Sequence, residues 1–207
     1  MSEYWESKFK SGGTMWHFHP SDSAIKITAL FKSKGFKQIL IPGFGYGRNA
    51  KTFIEKGFNV TGIEISGSAI ALARKNGISC DIYHGSVTAM PFDSKIYDGI
   101  FCYALIHLLN SKERKSFLSS CFSQLAPGGS MIFIVTSVKN SLYGSGKYLS
   151  KDRYQIPDGL KVFFYDEESI LKEFGPYGLE SFEEMEEPVK FIEGLEPLRM
   201  FSVTCKK

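Results

Sequence analysis

The sequence predicts an α/β fold in which a mostly parallel, seven-stranded sheet carries helices on both faces. Three observations support this. Short apolar runs alternate with segments of helical period, a glycine cluster follows the first run, and no helical segment separates the last two runs. Alternating strands and helices are typical of parallel sheets. Adjacent strands without a crossover helix pair antiparallel, so we expect a C-terminal hairpin.

Each element follows from a local pattern. Branched apolar runs predict five strands, at 37–42, 58–65, 79–84, 97–102 and 130–138, and two final strands near 177–185 and 198–205. Amphipathic spacing predicts helices at 21–34, 48–56, 68–76, 111–125 and 166–174. Ser111 and Asp166 are the expected caps of the last two helices, and Arg114 and Lys115 should face solvent.

The whole chain, 1–207, is predicted to be one domain. A core over 36–138 follows an N-terminal lid and helix over 1–35, and a C-terminal helix and strand pair occupy 161–207. Residues 139–160 are an insertion whose first part is rich in Ser, Gly, Tyr and Lys. It is too long for a plain connection, which predicts a lid or a disordered excursion.

Composition limits the partners. The net charge of +3 comes without a basic stripe, so we expect no nucleic-acid partner. No apolar run approaches the ~20 residues that cross a bilayer, and the first residues do not resemble a signal peptide. Four cysteines without C-x-x-C spacing indicate buried thiols in a reducing compartment. We therefore expect a cytoplasmic protein with no membrane partner.

The strongest local signal is a glycine turn between the first strand and the next helix. Gly43, Gly45 and Gly47 allow positive φ angles and close approach of a ligand to the backbone. Glu64 ends the second strand 21 residues after Gly43, where an acid holds ribose hydroxyls in dinucleotide-binding folds. The third glycine comes one residue earlier than in G-x-G-x-x-G, which favours a nucleoside without a pyrophosphate.

At this point several ordered motifs resemble those of class I S-adenosylmethionine-dependent methyltransferases, whose fold is a Rossmann-like sheet ending in an antiparallel hairpin. The motifs are ILIPGFGYGR at 39–48, VTGIEIS at 60–66, GSVTAMPF at 85–92, 97–102, and LAPGGSMIFIV at 125–135. More loosely, Arg48-Asn49, Trp5, Trp16 and the 143–147 stretch are similar to tellurite-resistance-type and thiopurine-type small-molecule methyltransferases.

The resemblance implies S-adenosylmethionine as cofactor and assigns roles to residues along the motifs. The three glycines and Arg48 would line the adenosine and methionyl portions, and Glu64 would hold the ribose. Ile65, Ser86 and Val87 would contact adenine, while Tyr103 would face the methionyl end. Trp16, with Trp5, could close over the sulfonium. One departure stands out: Ile41 occupies the place where the family commonly has an acid.

The expected reaction is in-line methyl transfer to a small-molecule acceptor, for which alignment supplies much of the rate. A hydroxyl or amine acceptor needs a general base, whereas a thiolate does not. His107 and Tyr103 are the catalytic candidates, although His107 could equally be a structural, helix-capping residue. His17 and His19 lack an evident third ligand, so no metal site is expected.

Three alternatives remain open. A non-catalytic S-adenosylmethionine-binding module would share the crevice, and the loss of the acid at Ile41 favours it. A nicotinamide-dependent oxidoreductase would be expected to have G-x-G-x-x-G and a substrate domain. A nucleic-acid methyltransferase is disfavoured by Tyr103-Ala104-Leu105, which stands where an Asn/Asp-Pro-Pro-aromatic motif would lie. The acidic cluster at 183–187 reads as a solvated turn.

Overall fold

The computed structural model describes residues 2–14, 16–189 and 196–207. Its main sheet has seven strands in the order β3-β2-β1-β4-β5-β10-β9. The strands are β1 (Gln38–Pro42), β2 (Asn59–Glu64), β3 (Asp81–His84), β4 (Tyr97–Tyr103), β5 (Leu125–Thr136), β9 (Leu179–Glu187) and β10 (Leu198–Lys206). The first five are parallel, and β10 is antiparallel to both neighbours. The predicted α/β fold with its C-terminal hairpin is confirmed.

Strand β5 begins earlier than predicted. Tyr97 pairs with Leu125, and the Pro-Gly-Gly sequence that looked like a turn lies inside the strand. Gly128 donates its N–H to the carbonyl of Lys207 at 2.7 Å, and Lys207 donates to the carbonyl of Gly129 at 3.2 Å. The C-terminal residue thus supplies pairing that the local sequence does not reveal.

Six helices are described: α1 (Ser2–Gly12), α2 (Asp22–Ser33), α3 (Arg48–Glu55), α4 (Gly67–Lys75), α5 (Ser111–Ser123) and α6 (Glu167–Phe174). Helix α1 was not predicted. The cap of α5 is Asn110, not Ser111, because its side chain accepts from the Glu113 N–H and the Glu113 carboxylate accepts from the Asn110 N–H. Asp166 caps α6 as expected.

Arg114 is buried, which corrects the prediction that it faces solvent. Its Nε and Nη2 donate to the carboxylate of Glu173 at 2.6–3.0 Å, and its guanidinium lies 3.9 Å from the ring centroid of Phe163. A charge at the surface of α5 becomes buried because α6 brings a carboxylate to it and an aromatic ring stacks on it. The contact fixes α5 against α6.

The insertion and the three residues after it form a second, three-stranded sheet rather than a plain loop, in the order β6 (Lys147–Ser150), β7 (Arg153–Gln155) and β8 (Lys161–Phe163), so the inserted unit extends past residue 160. Both pairings are antiparallel. The sheet has an apolar cluster of its own, centred on Leu108, Ile156, Val162 and Phe164. The disordered alternative is therefore wrong for these strands, whereas a lid role stays a prediction.

Two large apolar clusters cover the two faces of the main sheet, as a parallel sheet requires. One packs α5 and α6 on Leu40, Phe133 and neighbouring side chains. The other packs α2 and α3 on Ile39, Ile41 and Phe101. In the described parts of the chain, no helix is long and apolar enough to cross a membrane. Those parts also contain no group of three or more His, Cys, Asp or Glu side chains that could hold a metal ion.

Candidate functional site

The chain reverses sharply after β1, and glycine is required there. Gly43 and Gly45 have φ angles of +70° and +57°, which L side chains rarely adopt. The N–H groups of Gly43 and Phe44 both donate to the carbonyl of Ile63 at 2.9–3.0 Å. The ring of Phe44 lies so close to Gly62 that a Cβ there would fall 2.3 Å from it. The turn is thereby held against the end of β2.

Glu64 lies beside this turn with its carboxylate already oriented. Gly45 N–H donates to Oε2 at 2.6 Å, and Ser66 N–H donates to Oε1 at 2.9 Å. Only 6% of the residue is exposed, and burial raises the pKa of its carboxyl despite these two donors. A carboxylate accepts about four hydrogen bonds, so two acceptor positions remain for a pair of hydroxyl groups.

A cavity of about 420 Å³ opens at the carboxyl ends of β1, β2 and β4. This volume is within the usual range for small-molecule sites, roughly 300–1,000 Å³. Most of the predicted site residues line it: Trp16, Gly43, Gly45, Arg48, Glu64, Ile65, Ser86, Val87 and Tyr103. The structure therefore brings together residues from four separate motifs.

Two predicted site residues lie elsewhere in the described chain. Gly47 precedes α3 with a φ of +81° and packs against Ile78 and Phe44, so its contribution is to the turn. His107 lies in a short 3₁₀ turn after β4, and its Nδ1 accepts from Thr136 N–H at 3.3 Å. Burial lowers the pKa of His107 to about 4. The imidazole is therefore neutral near pH 7.

Tyr103 and Arg48 form the end of the cavity away from Glu64. The Arg48 guanidinium lies 5.3 Å from the ring centroid of Tyr103 and donates to the carbonyl of His19 at 3.2 Å. Burial raises the pKa of Tyr103 to about 12, so its hydroxyl stays protonated at neutral pH. The next residue, Ala104, has a φ of +52°, and this turn lets the chain line the cavity on both sides of the strand end.

Helix α1 covers the cavity with aromatic rings. Trp5 and Phe9 line it, and Trp16 stacks on Tyr46 with ring centroids 6.4 Å apart. Tyr46 also donates its hydroxyl to the carbonyl of His17 at 2.7 Å and accepts from Trp16 N–H at 3.1 Å. Tyr46 belongs to the glycine turn. These contacts therefore attach the N-terminal segment to the turn that the sequence analysis assigned to the cofactor.

A carboxylate anchors the same helix. Glu6 accepts from Ser66 Oγ at 2.7 Å, from Ser68 Oγ at 2.5 Å and from Ser68 N–H at 3.2 Å. These donors stand at the beginning of α4, where the helix dipole favours a negative charge. Hydrogen bonds from Ser68, and then from Ser66, lower the pKa of Glu6 to about 2.

Sequence reasoning missed the second carboxylate of the cavity. The prediction of a turn at 183–187 is wrong, because these residues form the end of β9 and pair with β10. Glu187 is also not solvated, since it is only 2% exposed and lines the cavity. Its carboxylate accepts from Asp22 N–H at 2.7 Å and Ser23 N–H at 3.2 Å, at the start of α2. The only signal in the sequence is the alternation of Met185 and Glu187, which places both on one face of the strand.

Comparisons with known proteins address this same region. A family model described as a methyltransferase domain matches residues 39–129, from β1 to the start of β5. A protein of Geobacillus sp. (strain WCH70) named for methyltransferase activity is 29% identical over 109 residues. That match covers 50% of this chain and 44% of the relative, so the chain accounts for less than half of the relative's length.

Solved structures resemble the chain over most of its length. A Burkholderia thailandensis 1,6-didemethyltoxoflavin-N1-methyltransferase with bound S-adenosylhomocysteine has a TM-score of 0.73 at 17% identity, covering 100% of this chain and 86% of its own. An S-adenosylmethionine-dependent methyltransferase from Methanosarcina mazei has a TM-score of 0.69 at 19% identity, covering 82% and 92%. TehB from Haemophilus influenzae has a TM-score of 0.66 at 17% identity, covering 98% and 67%.

Together these likenesses establish the fold. The chain has the Rossmann-like fold of S-adenosylmethionine-dependent methyltransferases, and residues 39–129 match the family model of a methyltransferase domain.

Proposed function

We propose that this methyltransferase-domain protein transfers the methyl group of S-adenosylmethionine to a small molecule, and that both bind in the cavity at the ends of β1, β2 and β4. One observation carries the proposal. The glycine turn, the buried carboxylate of Glu64 and the Ser86-Val87 pair face one cavity of suitable volume. These residues come from three motifs that the family arranges around its cofactor.

The residues present fit the nucleoside part of the cofactor. Glu64 has its carboxylate fixed by two backbone donors and keeps acceptor capacity for the ribose hydroxyls. Ser86 and Val87 follow β3 and line the cavity, as adenine contacts would require. A Cβ on Gly45 would meet only Phe9, at 4.0 Å, so its backbone can approach a ligand closely.

When bound, S-adenosylmethionine supplies an electrophilic methyl carbon on a sulfonium. The residues of the chain orient the methyl group and its acceptor and exclude water from them. Trp5, Phe9 and Trp16 present apolar and aromatic surface over the cavity, and an enclosed site favours methyl transfer over competing hydrolysis. Aromatic faces also favour a nearby cation. Alignment of the acceptor with the methyl group then supplies much of the rate.

The cavity favours an acceptor that loses its proton without a general base. Among its described lining residues there is no histidine, lysine or cysteine. Tyr103, with a pKa of about 12, can donate a hydrogen bond but does not take up a proton at neutral pH. Both carboxylates accept backbone N–H groups. A thiol or another soft, anionic nucleophile therefore fits better than an alcohol, because it needs no general base.

The nucleoside part of the proposal is tested by Glu64→Ala and Glu64→Gln. Losing charge-assisted hydrogen bonds should cost about 1.5–3 kcal/mol, which weakens S-adenosylmethionine binding by about 10- to 150-fold in calorimetry. Glu183→Ala, at an exposed position in β9, is the matched control and should bind like the wild type. Unchanged affinity in a folded Glu64 variant would contradict the ribose assignment.

Turnover decides between an enzyme and a binding module. We expect S-adenosylmethionine and S-adenosylhomocysteine to raise the melting temperature and NAD to leave it unchanged. Labelled S-adenosylmethionine should then be consumed with at least one member of a panel of thiols, selenium or tellurium oxyanions, phenols and amines. Stabilisation without any turnover would favour the non-catalytic module, and stabilisation by NAD alone would favour the oxidoreductase.

A further inference from the structure

The end of the cavity away from Glu64 contains one acidic and one basic side chain. Among the described lining residues the carboxylates are Glu64 and Glu187, and the only cation is Arg48. Tyr103 is close to both charged groups: the guanidinium lies over its ring, and the negative charges of Glu187 and Asp22 add to burial in raising its pKa. This end of the cavity therefore presents a positive and a negative side chain near one phenol, and Asp22 is not among the lining residues.

Glu187 is placed to receive a further donor. With 2% exposure it is shielded from solvent, and a buried charge is stable only when it is paired or hydrogen-bonded. Two backbone N–H groups of α2 occupy two of its acceptor positions, and a carboxylate has about four. The start of α2 is itself tied to α3, because Ser21 N–H donates to Asn49 Oδ1 at 2.9 Å. The carboxylate is thus held on a rigid support.

The neighbouring strand lacks an acid. Ile41, at the end of β1, is 3% exposed and lines the same cavity with an aliphatic side chain. Phe101, on β4, lines it too and belongs to the same apolar cluster. An ammonium group bound near these two side chains would find no counter-charge beside them on β1 or β4, and Glu187 is the carboxylate that lines the described cavity at this end.

We propose that Glu187 and Arg48 together bind the amino-acid terminus of the cofactor, Glu187 taking its ammonium group and Arg48 its carboxylate. The inference rests on the proposed cofactor site. An α-amino-acid terminus carries one charge of each sign, and the cavity offers one complementary side chain for each. In this arrangement the acid that binds the ammonium group is Glu187, on the edge strand β9 and bonded to the start of α2. It replaces an acid on the first strand.

The test compares two nucleosides that differ only in the amino-acid terminus. S-adenosylhomocysteine carries it, whereas 5′-methylthioadenosine keeps the adenosine and the thioether but has no charged terminus. Binding of both to the full-length protein is measured by calorimetry for the wild type, Glu187→Gln and Arg48→Gln. Glu187→Gln keeps an oxygen that can accept from α2. Glu186→Gln, at a half-exposed position on the same strand that pairs with Arg199, is the control.

We expect each of the two cavity variants to weaken S-adenosylhomocysteine by about 10- to 100-fold while changing 5′-methylthioadenosine less than about twofold. Glu186→Gln should change neither. Equal losses for both nucleosides would show that Glu187 only supports α2 and would overturn the proposal. Unchanged S-adenosylhomocysteine binding in both folded variants would overturn it as well and assign this charge pair to the acceptor. If the wild type binds neither nucleoside, the proposed cofactor itself is wrong.

Discussion

The N-terminal segment lines the cavity and the insertion packs beside it, on Trp5 and Leu108, but the two regions are attached in different ways. Helix α1 has no strand partner; it is held by the Glu6 carboxylate at the start of α4 and by aromatic contacts to Tyr46. The insertion is a hydrogen-bonded sheet with an apolar cluster of its own. A helix held only by side-chain contacts can detach without loss of backbone hydrogen bonds between strands. We therefore infer that α1 is the moving lid and that the sheet of β6, β7 and β8 stays fixed beside it.

The two regions meet at one edge. Tyr4 donates its hydroxyl to Asp158 at 3.0 Å, and Trp5 packs against the cluster that contains Ile156 and Val162. The moving part would therefore close onto a surface that the insertion keeps in place. Predictions about one region can be checked against matched changes in the other.

The largest effect is expected from Trp16→Ala. Trp16 is 39% exposed, so its loss should cost little stability, while removing its stack on Tyr46 loosens the cover over the cavity. We expect kcat to fall about 10- to 100-fold, since small misplacements of reacting groups have effects of this size. Tyr148→Ala, at a 62% exposed position in β6, is the control and should change kcat less than about twofold. A similar loss in both variants would remove the distinction between the regions.

An intermediate effect is expected from Glu6→Gln. The substitution keeps the shape of the side chain but removes the charge that three donors at the start of α4 stabilise. We expect S-adenosylmethionine to bind about three- to tenfold more weakly and α1 to exchange its amide hydrogens faster. Glu3→Gln, in the exposed first turn of the same helix, serves as the control. Unchanged exchange across residues 2–12 would show that Glu6 does not hold the helix.

The same contact predicts a pH dependence. The pKa of Glu6 falls from 4.5 to about 2 in the folded protein, so the charged form is favoured by docking. The contribution of Glu6 to the stability of the docked helix is fully present above about pH 4.5, and it is lost as the pH falls toward 2. Both tryptophans of the chain, Trp5 and Trp16, lie in this segment, so tryptophan fluorescence reports on it. The pH profile of the wild type should differ from that of Glu6→Gln only in this window; identical profiles would contradict the assignment.

The smallest effect is expected where the two regions touch. Tyr4→Phe removes one exposed hydrogen bond to Asp158, and exposed contacts contribute little because water replaces them. We expect kcat to change by less than about twofold and the melting temperature to stay constant. Asp158→Asn should behave in the same way. A large loss in either variant would indicate that the insertion moves with α1.

The sequence predicted the parts of the fold that rest on local pattern. The five parallel strands, the hairpin, the glycine turn and Glu64 all follow from apolar runs and fixed spacing. Helix α1 was missed because one of its polar residues, Glu6, bonds to the start of α4, a contact between distant segments that no local pattern indicates. The burial of Arg114 and Glu187 depends on partners 59 and about 165 residues away in the chain. Spacing cannot reveal such pairings, since the sheet alone brings them together.

Hydrogen exchange of the full-length protein, with and without S-adenosylhomocysteine, tests the central claim most directly. We expect ligand to slow exchange at the glycine turn and across Ser2–Gly12, while strands β7 and β8 are already protected and do not change. Slowing confined to the insertion, or full protection of α1 before ligand is added, would show that α1 is not the moving lid.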